Sequence, residues 1–365
     1  MSRKIIFLII ISLTAIGLIM TVLLRSNNFS GELIVPFSQN IITINPTIPL
    51  QNDLYEIPSL SLDNIFKSDK NFSSYPPEKI RVLIATGDVI PARSVNYQAN
   101  SRRDFRWPFE KTAEVLENAD LTLINLESPL VPNCPLTNSG MIFCGDARNI
   151  EGLTFAGVDV ASLANNHLEN YGEKGVTSTV KVLEETGILP VLENQPQVKD
   201  VRGLRFGFAA FHDLVQPQLA IEKEYSDKIA SQVAELKKQS DMVIVSFHWS
   251  AEYTSIPSQR QRDLAHLAVD NGADLIIGNH PHWIQPVEIY HDKLIVYAHG
   301  NFVFDQMWSE KTKEGVVGKY TFLDNRLIDA EFLPVKIVYF GQPYFLQDFA
   351  KEKILKEMKE GSSKL

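Results

Sequence analysis

From Lys79 onward the chain is punctuated by short apolar, β-branched runs that close on polar side chains of a restricted kind. The runs are "IRVLIATGD" (80–88), "LTLINLE" (121–127), "DVASLANNH" (159–167), "MVIVSFHW" (242–249), "ADLIIGNHPH" (273–282) and "KLIVYAHGNF" (293–302). Runs of this length and composition read as strands. Between them lie stretches with helical spacing, notably 172–186, closed by Gly187, and 258–271, closed by Gly272, because glycine ends a helix without a Cβ penalty. This alternation predicts an α/β domain whose strand ends converge on one crevice. Residues 206–213 and 320–340 read as further strands, and 346–365 as a charged amphipathic helix that frays into a tail.

The strand ends share a chemistry. They carry Asp88, Asn125 with Glu127, Asn166 with His167, His248, and finally His280 and His282, in a chain with only eight histidines. Each alone is no more than a turn residue or an Asx-turn. Together, carboxylate, amide carbonyl and imidazole are the ligands of divalent Mn, Fe, Zn or Co, whereas a calcium cage is all oxygen. Two ions about 3.5–4 Å apart need a bridging carboxylate with nitrogen and oxygen donors on either side, and this inventory suffices. His266 falls on the helix face opposite Leu264, Leu267 and Ala268 and reads as a surface residue. His212 and His291 read as structural. Glu252 and Tyr253 either line the crevice or are a surface acid and a packed aromatic.

Location follows from the first residues. Arg3 and Lys4 precede Ile5–Leu24, twenty residues without a charge, and a helix of that length is about 30 Å long, one bilayer core. The basic flank favours a cytoplasmic N-terminus, which places the main domain outside the cytoplasmic membrane on a single-pass anchor (1–25). Residues 26–79, rich in Asn, Ser, Thr and Pro, read as a stalk or wrapping segment. Cys134 and Cys144, with nine residues between them in a Pro/Asn/Gly-rich loop, then suit a disulfide better than two thiols. A net charge of −9 argues against nucleic acid as a partner. The basic run 101–106 is either a solvated loop or a point of contact for an anionic substrate. Gly-x-Ser-x-Gly and Gly-Lys-Ser/Thr motifs are absent from the sequence.

The series "GDVIPAR" (87–93), "NLE" (125–127), "LANNHLENYG" (163–172), "FHWSAEY" (247–253), "GNHPHWIQPVE" (278–288) and "YAHGNFVFDQ" (297–306) resembles, in order and spacing, the CapA-type capsule-synthesis family. That family is also called the poly-γ-glutamate biosynthesis family and is similar to calcineurin-like metallophosphoesterases. The resemblance covers roughly residues 80–325. It implies an α/β fold, a four-layer α/β/β/α sandwich of the metallo-dependent phosphatase type over 80–345, with 346–365 as a terminal helix. It further implies two divalent transition metal ions (Mn, Fe or Zn). Asp88 and His282 would hold one ion, Asn166, His248 and His280 the other, with Glu127 between them. His167 would be the general acid, Asn125 would orient Glu127 or a phosphate oxygen, and Arg93 would meet an anionic substrate. The implied function is a membrane-anchored phosphoesterase-type site in capsule or poly-γ-glutamate biosynthesis. The alternative is a non-catalytic assembly or export factor that binds metal and an acidic polymer, with capsule synthesis or export subunits as partners. Two positions depart from the family's pattern, and a third, Ile90, departs from the superfamily's alone, as is usual for the capsule branch. Ile90 stands where the superfamily carries a histidine, Asn279 where a histidine precedes "HPH", and Asn170 where an aspartate is usual, which leaves Glu169 or another residue to orient His167. His299 is either an added ligand or a strand-end histidine.

Overall fold

The computed structural model describes residues 59–67 and 70–365. The span expected at Ile5–Leu24 and most of the 26–79 segment lie outside the described residues. Among the described residues no helix is long and apolar enough to cross a membrane.

The first half of the chain supplies β1 (Ile80–Val89), β2 (Leu121–Leu126), β3 (Leu130–Val131), β4 (Gly145–Asp146), β5 (Val160–Ser162) and β6 (Leu189–Val191). The middle supplies β7 (Gln197–Val201), β8 (Leu204–Asp213), β9 (Met242–Trp249), β10 (Leu275–Asn279), β11 (Val287–Tyr290) and β12 (Lys293–Val296). Last come β13 (Asn301–Val303), β14 (Glu314–Leu323), β15 (Arg326–Val338) and β16 (Gln342–Phe345). β3 and β4 pair with each other, and the rest form two mixed sheets. One runs β16-β15-β14-β1-β2-β5-β6, with β13 also on β1; the other runs β11-β12-β10-β9-β8-β7. The strands that bear the polar ends, β1, β2 and β5 in the first sheet and β9 and β10 in the second, are parallel to their like neighbours.

Period-two alternation sorts their side chains. Leu83, Ala85 and Leu123 meet Phe206, Phe208, Ile244 and Ile277 in a cluster between the sheets. Ile84, Ile124 and Leu126 point the other way, onto Leu116, Leu153 and Leu183 of the helices Ala113–Glu117, Ile150–Phe155 and Gly172–Glu185. On the second sheet Val243, Val245 and Phe247 meet Ile229 and Val233 of the helix Lys223–Gln239 and Leu264 and Ala268 of the helix Gln259–Asp270. Helices, sheet, sheet and helices therefore succeed one another. Each fully buried large apolar side chain contributes roughly 1.5–3 kcal/mol.

Three segments differ from the sequence expectation. The run 293–302 is two strands in different sheets, because residues 297–300 cross from β12 to β13. The crossing is close: a Cβ on Gly278 would lie 2.0 Å from the Tyr297 carbonyl oxygen, and one on Gly87 would lie 2.3 Å from that of Gly300. His299 clasps the crossing, its Nδ1 3.1 Å from the Gly278 carbonyl and its Nε2 2.8 Å from the Tyr320 hydroxyl, one contact in each sheet. Burial pushes its pKa down to about 4, and both ring nitrogens are engaged, so His299 is a structural residue. Second, β10 stops at Asn279, and His280 (φ 93°) and His282 (φ 54°) are left-handed, so the His-Pro-His segment is a turn and not an extended strand end. Third, 346–365 does not fray. The helix Asp348–Ser362 buries Ile354 and Met358 in the inter-sheet cluster, and the Ser362 Oγ accepts the Val287 N–H at 2.9 Å. The described part of 59–79 wraps: Ile65 enters the same cluster, Phe66 stacks on Phe332 and Lys70 pairs with Asp329 at 2.8 Å.

Gly278→Ala is expected to lower stability by at least ~2 kcal/mol in urea unfolding, since the methyl would overlap backbone that cannot retreat. An unchanged midpoint would show that the crossing does not depend on this contact.

Candidate metal centre

The polar strand ends of both sheets meet. Asp88 is in register with Asn125 on β2 and with Asn301 on β13, and the Asn125 Nδ2 donates to the Asp88 Oδ1 at 2.8 Å. From the second sheet, the His282 Nδ1 lies 3.1 Å from the Asp88 Oδ2 and 2.9 Å from the Asn301 Oδ1. His248 ends β9 with its Nε2 3.0 Å from the His280 Nδ1 and 2.9 Å from the Oδ1 of Asn166, an exposed residue of the loop after β5. Glu127, just past β2, is fully buried, with its Oε1 3.4 Å from the His248 Nε2 and 4.0 Å from the His167 Nε2. Asp88, Glu127, Asn166, His248, His280 and His282 thus share one crevice between the sheets.

Glu127 is the unusual member. Neither carboxylate oxygen has a hydrogen-bond partner, and the His248 nitrogen nearest to it is directed at Asn166 and His280 instead. Burial, reinforced by Asp88, pushes the Glu127 carboxyl well above the usual range. Burial also holds His248 down to about 3 and His280 well below 6.5, so both rings are neutral with lone pairs available. For His282 burial opposes the charge but Asp88 and Glu127 outweigh it, raising the pKa to about 9. For Asp88 burial is likewise outweighed, here by His282, and the pKa is lowered. A partnerless buried carboxylate costs several kcal/mol unless a cation meets it.

The donor set suits such a cation. Asp88, Glu127 and His248 each place one donor atom within 4.8 Å of the others, and so do Glu127, His280 and His282. Glu127 belongs to both groups, the disposition a bridging carboxylate requires. His280 and His282 fall in one group and Asp88 and His248 in the other, where the resemblance implies Asp88 with His282 and His248 with His280; the turn brings the His280 and His282 ring centroids to 5.6 Å. Left-handed backbone at two non-glycine residues costs of order 1–3 kcal/mol each, and it aims both imidazoles inward.

His167 faces this cluster and is held from behind. Its Nδ1 lies 2.9 Å from the Asn170 Oδ1, so the amide of Asn170, and not Glu169, orients the ring and leaves the Nε2 toward Glu127. The same Asn170 oxygen accepts the Phe143 N–H at 2.6 Å, and the Phe143 ring stacks on His167 at 4.0 Å. Phe143 sits in the loop that Cys134 and Cys144 close as a disulfide, with Cα atoms 5.9 Å apart. Burial lowers the His167 pKa.

Other assignments change. Arg93 is already paired: its guanidinium meets Asp305 and lies between the rings of Phe143 and Phe304, 4.8 and 4.9 Å away, so it braces the disulfide loop and offers no open charge. Asn125 contacts Asp88 and, at 3.2 Å, the His248 Nδ1, and not Glu127. His266, read as a surface residue, is half-buried against Tyr290 and 3.0 Å from Glu288. In the basic run, Arg102 lies over Trp107 and Arg106 over Phe155, so both serve the structure. Tyr253 lines the crevice, 6.3 Å from the His282 ring. Sequence reasoning missed Asn165, whose Oδ1 accepts the N–H groups of His167 and Leu168, and Asn301, which holds His282. An Asn-Asn-His turn and a Gly-Asn after the crossing were the available signals.

Comparison with known proteins places this geometry. The family described as bacterial capsule synthesis protein PGA_cap matches residues 82–306, the stretch that contains every residue of the cluster. The capsule biosynthesis protein CapA of Bacillus anthracis is 29% identical over 79% of this chain and 74% of its own length. The PGA biosynthesis protein CapA of Bacillus subtilis is 26% identical over 76% and 77%. A solved structure described as a novel phosphatase of Mycoplasma pneumoniae aligns with 75% of this chain and 96% of its own, at a TM-score of 0.47 and 13% identity. With the family match extending over more than half of its length, the chain belongs to the bacterial capsule synthesis protein PGA_cap family.

Proposed function

We propose that this protein is a membrane-anchored, extracytoplasmic hydrolase with a dinuclear metal site of the phosphoesterase type, acting on a phosphoester-like bond in capsule or poly-γ-glutamate biosynthesis. The observation that carries it is Glu127: a carboxylate with both oxygens buried and unpartnered, shared by two groups of metal-capable side chains. In this reading Asp88 and His248 would hold one ion, joined by Asn166 beside His248, and His280 and His282 the other, with Glu127 serving both. Divalent ions there would supply Lewis acidity toward a phosphoryl oxygen. Asn125 and Asn301 hold Asp88 and His282 in place from the flanking strands. His167, with its Nδ1 on Asn170, presents its Nε2 to the crevice and passes a proton to the leaving oxygen there.

A second reading is favoured by two observations. Asn170 replaces the carboxylate that would stabilise a protonated His167, and Ile90 is apolar and fully buried beside the site. A crevice so equipped suits an assembly or export factor that binds metal and an acidic polymer without turnover, together with capsule synthesis subunits.

In the hydrolase reading, His167→Asn lowers turnover of an aryl phosphodiester by about 10²–10⁴-fold while metal content stays that of the parent. No turnover by the manganese-loaded parent on any phosphoester would leave the assembly reading. Glu127→Gln removes about half or more of the bound metal by elemental analysis, because that side chain serves both groups; retention of the parent's content in Glu127→Gln and His248→Ala alike would end the metal assignment. The double variant Cys134→Ser/Cys144→Ser is expected to lose about 3 kcal/mol of stability. Its turnover also falls while metal content is kept, since Phe143 no longer stays against His167.

A further inference from the structure

We propose that Tyr253, Trp283, Trp308 and Lys311 form a binding subsite beside the metal centre for a chain that carries carboxylates on an apolar or amide stem. It rests on the proposed metal site and specifies what lies alongside it.

The four side chains lead outward from a candidate ligand. The Tyr253 ring lies 6.3 Å from that of His282, 6.1 Å from that of Trp283 and 6.1 Å, edge-on, from that of Trp308. Trp308 is 62% exposed, an unusual position for an indole beside a crevice. The shelf is fixed to the metal centre through the backbone: the Tyr253 N–H donates to the Pro281 carbonyl at 2.8 Å, inside the His-Pro-His turn. Its hydroxyl accepts from the Gln306 Nε2 at 3.1 Å. Gln306 in turn accepts from Asn301, which holds His282. Tyr253 keeps a left-handed backbone, φ 58°, to reach this place. For a bulky residue that conformation persists only where surrounding bonds impose it.

The shelf carries two groups suited to an anion. Lys311 is exposed, has no ion-pair partner among the described residues, and places its Nζ 4.5 Å from the centre of the Trp283 ring. Arg93, by contrast, is taken by Asp305, and Glu310 beside Lys311 is taken by Lys313 and Lys336. The second is the Trp283 Nε1–H, buried without an acceptor, which a turn of the indole would bring to an incoming oxygen. One point charge, one N–H and three aromatic faces suit a carboxylate on a stem whose CH and amide surfaces lie on the rings. A phosphate would instead call for several converging donors or a guanidinium fork.

The test uses the full chain in detergent, titrated with a short γ-linked glutamate oligomer and followed by tryptophan fluorescence, with polyphosphate and a neutral malto-oligosaccharide in parallel. The oligomer is expected to change the emission, and Lys311→Met and Trp308→Ala each to weaken its binding about tenfold. Both sites are exposed, and a melting curve verifies that each variant is folded. Parent-like binding by both variants, stronger binding of polyphosphate or of the neutral glucan, or no binding of the oligomer by the parent would each overturn the subsite. Metal content measured on the same preparations separates the two proposals. A parent that binds the oligomer but takes up no metal sinks the proposed function and leaves the shelf. A metal-loaded parent whose variants bind the oligomer unchanged sinks the shelf alone.

Discussion

A carboxylate removed from water must be protonated, hydrogen-bonded or met by a positive charge, and Glu127 has no hydrogen-bond partner in the described structure. The surroundings make sense around that constraint. Asp88 is tied to Asn125 and His282, His248 and His280 are kept neutral by burial, and His282 alone leans toward the charged form through its two acidic neighbours. Three imidazoles packed this closely, with ring centroids 4.6 and 5.6 Å apart, would repel one another if all were protonated. A cation bound between Glu127 and these rings removes both difficulties at once.

Holding such a cluster requires that the ends of two separate sheets stay in register. The crossing at 297–300 does this by passing so close to β10 and β1 that only glycine fits at 278 and 87. His299 then spans the gap, with a bond to each sheet. The histidine that looked most like a spare ligand therefore acts one step removed: it positions Asn301, two residues on, against His282 and Asp88. The positioning is rigid because the groups involved are backbone and buried rings, which have few alternative arrangements.

That these residues meet in one crevice could be read from the sequence because each lies at or just after a β-branched strand, and parallel strands deliver their ends to one place. What could not be read was anything that depends on local dihedral angles or on partners far along the chain. The left-handed backbone at His280 and His282 has no compositional sign; residues before and after a proline ordinarily read as extended. Arg93 looked available because its partner, Asp305, lies 212 positions away. The C-terminal helix looked like a tail because its charged residues outnumber Ile354 and Met358, yet those two side chains reach the core between the sheets.

Asn170 bears on how far the chemistry can go. A carboxylate at that position would hold a proton on His167 through charge, whereas an amide oxygen offers only a neutral acceptor, and hydrogen bonds to ionised groups are about twice as strong. The chain compensates by geometry: the same oxygen also takes the Phe143 N–H, and Phe143 covers the imidazole face from a disulfide-closed loop that Arg93 and Asp305 brace. His167 is thus held in a single orientation with its Nε2 toward Glu127, while the stabilisation of its charged form is weak. Such an imidazole gives up a proton readily, and burial sets the cost of taking one up. In the hydrolase reading that makes a protonated His167 a ready donor to a leaving oxygen, and the disulfide loop supplies the orientation that a carboxylate would otherwise have imposed.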